Sequence, residues 1–484
     1  MSSALPVDNV LLDRGLGTNL QRQLYDQLRR MIETRVLAPG TALPSTRGLA
    51  KDLRLSRNTV IAAYDQLALE GFVRVRRGVA PEVLDLPILT DLQQSKPRPF
   101  NGRISARGAT MAAQPFHHGT PGITAFHPGL PDVSQFPFNT WSRLLNRCAK
   151  SAASDLFGTY HISGYPPLRE AIARYLSASR GVLCFPDQIV VTNGAQAAFD
   201  LLARVLLDPG DTVWMEEPGY YGASSAFVAA GARLEPLRID ADQWRLDPPK
   251  VAPKVVFVTP SCQHPLGLTM SMQQRLDLIR MADDWQAWII EDDYDSEYRF
   301  EGQPIPALQG LASNACTIFV GTFAKTLFPA MRLGYMVVPD TLREPVKRAL
   351  NSTGHFAPLV PQAALAEFIT SGHLSQHLRR MRRLYAKRRI FFIDTFKREL
   401  RDLMQLRQTD TGIQLVAQLP TGADDKVAAR QAARKWVNVS ALSAQYRHMP
   451  SGNGLVMGFA ASDQKVTLRS LKVLGKVLED CSQG

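Results

Sequence analysis

The sequence has 484 residues, of which 45% are hydrophobic and 21% charged. That composition is ordinary for a folded globular protein, and the length predicts two or more domains. The formal net charge of +12 favours polyanionic partners. Five scattered cysteines without CxxC spacing indicate a reducing, cytoplasmic setting and neither a disulfide framework nor a zinc site. We expect no signal peptide, and no apolar run reaches the roughly 20 residues that a membrane span needs.

The first predicted elements are three helices and a β wing. Apolar spacing, capping residues and a final alternating stretch place them at residues 19–40, 45–53, 56–69 and 72–77. Ser45 or Thr46 can cap the second helix, and Ser56 can cap the third. This order of elements is typical of a winged helix-turn-helix, in which the start of the last helix enters the major groove of DNA.

The start of that helix is rich in groups that can bond bases and phosphates. They are Ser56, Arg57, Asn58 and Thr59. A solvated helical pair, or a helix-turn-helix that contacts protein, would give the same pattern. The segment LPSTRGLAKDLRLSRNTVIAAYDQLALEGF closely resembles the N-terminal module of GntR-family bacterial regulators. The resemblance implies DNA contacts from Arg47, Arg57, Asn58 and Thr59.

Composition changes along the chain predict three segments. Residues 12–80 form the DNA-binding domain, residues 81–122 a proline-containing linker, and residues 123–484 a larger domain. Short apolar runs alternate with helical stretches in the larger domain, namely QIVVTN, TVWMEEP, KVVFVTP, AWIIEDD and CTIFVGT. That alternation predicts an α/β fold with a mostly parallel sheet, which binds ligands at the carboxyl ends of its strands.

Polar residues follow several of these runs. The backbone N–H groups of Ala195 and Gln196 open a helix after a glycine and could bind a phosphate. The acids of EDDYDSE could bind a metal, remain solvated, or hold a protonated ring nitrogen. Lys325 could form a Schiff base with an aldehyde, and Arg332 could bind a phosphate, although a surface lysine is the simpler interpretation of Lys325 alone. The combination is typical of a pyridoxal phosphate site.

The larger domain also resembles a known family. The motifs, in chain order, are FHPGLPDVSQFP, GYPPLREAIARYL, VTNGAQAAFDLL, EEPGYYGA, EDDYDSEYRF and GTFAKTLFPAMRLGY. They are similar to those of fold-type I aminotransferases, and behind a GntR-type module they resemble the MocR-like regulators, the subfamily of GabR, PdxR and TauR. The resemblance covers about residues 15–475.

The resemblance implies roles for individual residues around pyridoxal 5′-phosphate. Lys325 would form the internal aldimine, Asp292 would pair with the pyridinium nitrogen, and Tyr294 would bond the phenolic oxygen. Tyr220 would stack on the ring. The phosphate ligands implied are Ala195, Gln196, Thr322 and Arg332, joined by the partner subunit's Tyr160. No metal is implied, and Asp293 and Asp295 are expected to be structural.

The sequence departs from the aminotransferase pattern near the substrate. Cys262 replaces the histidine common in the family. His264 replaces an asparagine, so it could contact the cofactor, bind an effector, or only pack beside the ring. Val456 stands where aminotransferases have an arginine for the substrate carboxylate, and Arg447 is the nearest alternative for binding an effector. Loss of oriented binding would weaken turnover of amino acids.

The leading hypothesis is a homodimeric, cytoplasmic transcriptional regulator that binds operator DNA and senses pyridoxal phosphate or an amine or amino acid that reacts with it. Enzymatic activity would then be weak or limited to a half-reaction. The alternatives are an active aminotransferase with an accessory DNA-binding domain, and a repressor whose larger domain has become a dimerisation platform. The sequence identifies neither the effector nor the direction of regulation.

Overall fold

The computed structural model describes residues 10–15, 17–76, 79–85, 102–114, 125–150, 154–240, 242–303, 305–311, 316–448 and 452–483. The chain forms two compact units, Met1–Arg103 and Ile104–Gly484. Each unit has its own hydrophobic core.

The N-terminal unit contains the predicted helices and a two-stranded wing. They are α1 (Leu20–Glu33), α2 (Thr46–Asp52), α3 (Arg57–Leu69), β1 (Val73–Arg74) and β2 (Glu82–Val83). The wing strands are antiparallel, with Val73 opposite Val83. Both valines are buried in a core that α1, α2 and α3 supply with leucines. This packing of three helices and a wing confirms the predicted fold of this unit.

Helix α1 ends earlier than predicted. The sequence placed its end at Pro39–Gly40, whereas the last helical residue is Glu33. Thr34 bonds back to the carbonyl of Arg30 through both its backbone N–H and its hydroxyl. Arg35 then takes a left-handed φ of 60°, which turns the chain so that Leu37 is buried in the core. The helix therefore stops where burial of Leu37 requires a turn.

Two ordered segments lie within the predicted linker, residues 81–122. Strand β2 pairs with β1 and so belongs to the winged unit. Helix α4 (Ala106–Ala112) begins after Ser105, whose hydroxyl accepts a hydrogen bond from Gly108 N. Residues 86–101 and 115–122 lie outside the described residues, and the boundaries of the linker stay a prediction.

The second unit alternates helices and strands. Its helices are α5 (Phe138–Lys150), α6 (Ser154–Phe157), α7 (Pro166–Arg180), α8 (Ala195–Leu206), α9 (Tyr221–Ala229), α10 (Met272–Asp284), α11 (Leu308–Leu311), α12 (Asp340–Thr353), α13 (Leu359–Thr370), α14 (His373–Glu399), α15 (Asp425–Arg434) and α16 (Gln464–Gln483). Its strands are β3 (Ile189–Thr192), β4 (Thr212–Glu217), β5 (Arg233–Asp240), β6 (Gln243–Trp244), β7 (Val255–Val258), β8 (Trp288–Asp293), β9 (Thr317–Thr322), β10 (Gly334–Val337), β11 (Gln405–Leu406), β12 (Gln414–Gln418), β13 (Ser440–Ala441) and β14 (Gly454–Gly458).

The five predicted strand runs belong to one sheet. It has eight strands in the order β3-β10-β9-β8-β7-β4-β5-β6. The neighbours from β9 through β5 are parallel, whereas β10 is antiparallel to both β9 and β3. Strands β3 and β7 are buried along their whole length, because helices cover a sheet of this kind on both faces. The predicted α/β class is confirmed.

A second sheet, which was not predicted from the sequence, lies near the C-terminus. Its order is β11-β12-β14-β13, and all of its pairs are antiparallel. Residues of this sheet share a core with α14, α15 and α16. The sheet therefore forms a separate layer from the one that carries the predicted motifs.

The N-cap of α2 gives a test of local stability in the winged unit. Ser45 Oγ accepts a hydrogen bond from Gly48 N. Ser45→Ala should lower the free energy of unfolding of the N-terminal unit by about 1 kcal/mol, because the helix loses its capping acceptor. Chemical denaturation of the full chain, followed by a probe in this unit, measures the change. Ser45→Asn restores an acceptor and should retain most of the stability; equal losses in the two variants would contradict the capping role.

Candidate functional site

The candidate site lies where β8 and β9 end. These strands are parallel neighbours, with Asp292 opposite Val320, so the residues that follow them emerge at one edge of the sheet. A cavity of about 530 Å³ opens at this edge. Every cofactor residue predicted from the sequence lines it except Tyr160; the lining set is Ala195, Gln196, Tyr220, His264, Asp292, Tyr294, Thr322, Lys325 and Arg332.

Lys325 is half-buried and presents its amine to the cavity. Its Nζ donates to the carbonyl oxygen of Gly129 at 2.7 Å. Gly129 has a φ of 64°, and a Cβ at this position would collide with Nζ, so glycine is required for the approach. Burial lowers the pKa of Lys325 below its usual 10.5, although Asp295 and Asp292 oppose the shift. The amine is therefore more easily deprotonated, and more nucleophilic, than a surface lysine.

Asp292 holds a carboxyl group in the protein interior. The residue is 4% exposed, and its Oδ1 has no hydrogen-bond partner. Burial raises the pKa of Asp292 well above its usual value, and the negative charges of Asp293 and Glu216 add to the rise. The adjacent Asp293 differs, because Arg180 binds both of its oxygens, at 2.8 and 3.0 Å. Only Asp292 of this pair is left to accept a ligand.

The start of α8 and a basic side chain form a site suited to an anion. Gly194 precedes the helix with a φ of 82°, and the backbone N–H groups of the first turn face outward. Arg332 has a left-handed φ of 52° at the end of a short 3-10 turn. A Cβ on Gly194 would lie 3.9 Å from Arg332 Cζ, which places the guanidinium beside the helix start. Thr322 Oγ1 accepts from Ala324 N at 3.2 Å and lies at the same end of the cavity.

Three rings line another part of the cavity. The His264 ring lies edge-on between Tyr220 and Tyr294, with centroid distances of 5.3 and 5.8 Å. The Tyr294 hydroxyl donates to Cys262 Sγ at 3.6 Å. Burial raises the pKa of Tyr294 well above its usual value and that of the Cys262 thiol to about 12, so both groups remain protonated at neutral pH. Cys262 thus packs behind Tyr294 as a neutral group.

Asp295 connects the two sheets. Its Oδ2 accepts from Ile413 N at 2.8 Å, immediately before β12. Burial raises the pKa of Asp295 to about 8. Ile413 and Arg180 thus bind Asp295 and Asp293, although Asp295 Oδ1 is buried without a partner.

Two of the sequence candidates lie away from the cavity. Tyr160 is 82% exposed, with its ring 5.9 Å from that of Phe356. Arg447 donates to Ser224 Oγ and to Gln114 Oε1, both at 2.8 Å. The guanidinium of Arg447 is therefore directed toward α9 and the segment after α4, and this placement gives no support to the expected effector contact.

The cavity has a further side, of which the sequence indicated only Val456. It is formed by residues of the C-terminal sheet and its connections, which we call the C-terminal wall: Gln414, Asn438, Ser440, Gln445 and Val456. Arg430 of α15 and His127 also line the cavity. His127 lies in the quoted motif FHPGLPDVSQFP and could have been noted there. Apart from Val456, the others carry no local signal, because strands distant in sequence bring them to the cavity.

The predicted DNA-binding residues lie at the starts of α2 and α3. Arg47, Arg57 and Asn58 are exposed. Ser56 caps α3 by accepting from Thr59 N at 3.1 Å, and the hydroxyls of Ser56 and Thr59 lie 2.8 Å apart. The arginine and asparagine side chains are thus free to contact a ligand, while Ser56 and Thr59 also hold the helix start.

Two family models match the sequence, one in each unit. The model for bacterial regulatory proteins of the gntR family matches residues 20–83, and that for aminotransferase class I and II matches residues 131–453. The fold and these matches define the class of protein, a winged helix-turn-helix regulator with an aminotransferase-like unit.

Relatives match over most of the chain. The probable rhizopine catabolism regulatory protein MocR of Rhizobium meliloti is 47% identical, over 96% of this chain and 95% of its own. The pyridoxine biosynthesis transcriptional regulator PdxR of Corynebacterium glutamicum is 33% identical, over 96% and 97%. An α-aminoadipate aminotransferase structure from Thermus thermophilus, complexed with N-(5′-phosphopyridoxyl)-L-leucine, is 25% identical with a TM-score of 0.69, over 75% of this chain and 94% of that one. This chain belongs to the MocR-type transcriptional regulators of the GntR family, as the sequence motifs predicted.

Two further observations concern membranes and metals. Across the described ranges, no helix is both long and apolar enough to cross a bilayer. The same residues contain no group of three histidine, cysteine or acidic side chains placed to hold a metal ion. Of the acids of EDDYDSE, Asp293 binds Arg180, Asp295 accepts from Ile413, and Asp292 lines the cavity.

The residue after Lys325 is held by a buried histidine, which gives a pH test. His377 is 5% exposed, and its Nε2 lies 3.0 Å from the carbonyl oxygen of Thr326. Burial lowers the pKa of His377 from 6.5 to about 4. Its stabilising contribution is therefore complete above pH 6.5 and is lost as the pH falls through about 4.

We expect the free energy of unfolding of the wild-type protein to fall with acidification more than that of His377→Gln. The glutamine can keep the hydrogen bond without titrating. The difference between pH 7 and pH 4 should approach roughly 3 kcal/mol. Denaturant titrations of both proteins across this range measure it, and parallel pH profiles would show that the ring does not titrate in this way.

Proposed function

We propose that the larger unit binds pyridoxal 5′-phosphate through Lys325 and that this cofactor, or an amine that reacts with it, controls DNA binding by the winged unit. The observation that carries the proposal is the buried, unpartnered Oδ1 of Asp292 in the same cavity as the Lys325 amine. A protonated ring nitrogen would supply the missing partner. Binding of a small molecule in this way would shift a two-state equilibrium of the regulator.

The other residues of the cavity fit the same cofactor. The start of α8 with Arg332 suits a phosphate, since N–H groups and a guanidinium converge there. Tyr220 offers a ring face, and the Tyr294 hydroxyl, which donates to Cys262 Sγ in this structure, would turn to the cofactor on binding. When bound, the cofactor supplies an aldehyde that condenses with primary amines. Solved aminotransferase relatives carry phosphopyridoxyl or PMP ligands, which supports the assignment.

The protein's own groups would hold protons at defined atoms. The raised pKa of Asp292 makes its carboxyl group a stronger base, able to share a proton with a ring nitrogen. The lowered pKa of Lys325 leaves Nζ more readily neutral and able to attack an aldehyde. The raised pKa of Tyr294 keeps its hydroxyl a donor. Burial is the largest cause of each of the three pKa shifts.

Regulation is the better interpretation of this site than metabolic turnover. Val456 offers no charge to a substrate carboxylate, and Arg447 is directed elsewhere. Without an oriented carboxylate, amino acids lose the positioning that transamination requires. We infer a cytoplasmic regulator with at most weak or half-reaction activity. Rates near those of free pyridoxal phosphate, measured with a panel of amino donors and keto acids, would support this inference.

A homodimer is proposed for the same regulator. Tyr160, exposed and outside this chain's cavity, could complete the phosphate site of a second copy. Two winged units would then bind two half-sites of an operator. Relatives with the same two units are named transcriptional regulators, which supports a DNA partner.

Covalent loading tests the cofactor proposal. Wild-type protein incubated with pyridoxal 5′-phosphate should show the visible absorbance of covalently bound cofactor, and borohydride reduction should add a phosphopyridoxyl group to the peptide with Lys325. Lys325→Ala should lose both signals, because no other described lysine lines the cavity. Lys387→Ala, which removes an exposed lysine of α14, is the matched control and should load normally. Loading of Lys325→Ala at wild-type levels would exclude this lysine.

A substitution in α3 tests the DNA interface. A duplex selected from a random pool by the wild-type protein serves as the probe. Arg57→Ala should weaken binding about 5- to 150-fold, because an arginine that contacts a base contributes roughly 1–3 kcal/mol. Arg30→Ala removes an exposed arginine from α1 and controls for charge alone. Equal affinities of the Arg57→Ala and Arg30→Ala proteins, measured by mobility shift at one salt concentration, would refute the groove contact.

A further inference from the structure

Helix α4, which lies within the segment that joins the two units, rests on the surface of the larger unit. It packs against α9, yet none of its residues is buried, and Met111 is 49% exposed. A groove of about 350 Å³ lies between α4 and the end of α9. A helix of seven residues is not stable alone in water. The helical structure of α4 therefore depends on the contacts that hold it to this unit.

Arg447 binds the end of α4. Its Nη2 donates to Gln114 Oε1 at 2.8 Å. The Gln114 amide in turn donates to the carbonyl oxygen of Thr110, in the last turn of α4, at 3.0 Å. Arg447 thus holds α4 through the residue that bonds to its last turn.

A chain of hydrogen bonds leads from the same arginine to the cavity. Arg447 Nε donates to Ser224 Oγ at 2.8 Å, and Ser224 Oγ donates to the carbonyl oxygen of Tyr221 at 3.2 Å. Ser224 is 2% exposed, so its hydroxyl has little access to competing water. Tyr221 is the first residue of α9 and lines the cavity together with Tyr220. We call the contacts of Arg447 with Gln114 and Ser224 the clasp.

The backbone that carries Arg447 is also tied to the cavity. Gln445, two residues earlier, lines the cavity, and its carbonyl oxygen accepts from Gly219 N at 3.1 Å. His448, one residue later, donates its backbone N–H to Glu217 Oε1 at 2.9 Å. Both partners belong to the segment that leads from the end of β4 to the cavity. A ligand that fixes this segment therefore also fixes Arg447.

The docking of α4 sets where the larger unit begins to hold the chain. Beyond α4 and Gln114, the next described contact of the chain with this unit is at Ala125, whose carbonyl oxygen accepts from Asn438 N at 2.9 Å. Release of α4 would add the residues between Ala106 and Ala125 to the connection with the winged unit. The length of that connection governs how two linked binding modules act together.

We propose that occupancy of the cavity strengthens the docking of α4 through the clasp, and that this is the route by which the cavity acts on the winged unit. The inference rests on the proposed function, because the cofactor is the occupant that contacts Tyr220. Such contact restricts the first residues of α9 and so stabilises the surface on which α4 rests. Arg447 does not line the cavity and acts as a positioning residue.

Hydrogen exchange of residues 104–114 measures the docking of α4 in the full-length protein, since undocked amides exchange rapidly. Loading of the wild-type protein with pyridoxal 5′-phosphate, followed by visible absorbance, should slow this exchange about 2- to 10-fold. Arg447→Ala should load normally, exchange about 2- to 10-fold faster than the loaded wild type, and not respond to loading. Arg434→Ala removes an exposed arginine from α15 and is the matched control, expected to behave as wild type.

Further variants test each side of the clasp. Arg447→Ala combined with Gln114→Ala should exchange no faster than Gln114→Ala alone, because both changes remove one contact. Gln114→Glu keeps an acceptor for the guanidinium and should keep the protection. Ser224→Ala should abolish the response to loading. Arg447→Lys keeps the charge but lacks the fork of donors that reaches both partners, so it should behave as Arg447→Ala.

Mobility shift with the selected duplex measures the effect on DNA binding. Loading should change the affinity of the wild-type protein at least about fivefold, and that of Arg447→Ala by less than about twofold. Arg434→Ala should retain the wild-type change.

The outcomes separate this inference from the proposed function. If the loaded wild-type protein shows the visible absorbance but exchange of residues 104–114 is unchanged, the inference is wrong and cofactor binding is retained. The same holds if Arg447→Ala responds to loading as the wild type does. If the wild-type protein never acquires the absorbance, or if loading leaves its DNA affinity unchanged, the proposed function fails and the inference fails with it.

Discussion

The carboxyl group of Asp292 is buried and its Oδ1 has no hydrogen-bond partner, and this is a constraint on the whole larger unit. An unpaired buried polar atom costs roughly 1–3 kcal/mol, so a fold retains Asp292 Oδ1 only where its surroundings compensate. Asp293 is bound by Arg180, and Glu216 accepts from Trp244 and Thr259. Asp295 Oδ1 and Glu297 Oε2 are also buried without a partner, but neither residue lines the cavity, whereas Asp292 does. A ligand that formed a hydrogen bond with Asp292 Oδ1 would occupy the cavity, and its binding would also stabilise the folded protein.

The cavity combines two structural layers with different chemistry. The eight-stranded sheet supplies Asp292, Thr322 and Lys325 from the ends of adjacent parallel strands. The C-terminal sheet supplies neutral side chains and Val456. The first layer retains the groups that pyridoxal phosphate chemistry uses, while the second lacks the charge that orients an amino acid. A receptor can tolerate this division, because recognition alone needs no repeated, oriented turnover.

Features that depend on interactions between residues close in sequence were predicted correctly, whereas features that depend on distant residues were not. Helix starts at Ser45 and Ser56 follow from hydrogen bonds within three residues, so the sequence located them. The end of α1 depends on burial of Leu37 in a core built by other helices, and the prediction was wrong there. Arg447 seemed suitable because it lies close to position 456 in sequence. Its actual partners are 223 and 333 residues away, which no local pattern indicates.

The sequence by itself determined the two units, five of the eight strands of the main sheet and the polar residues that end them, because strand alternation and capping are local properties of the chain. From the same motifs it also identified Lys325 and Asp292 as a pair. Only the tertiary structure decided which buried groups are satisfied and which remain open, since the partners come from distant strands and helices. The C-terminal wall is the clearest case. Asn438, Ser440, Gln445 and Val456 meet there because β12, β13 and β14 pair in one register, and that pairing depends on packing rather than on any short motif.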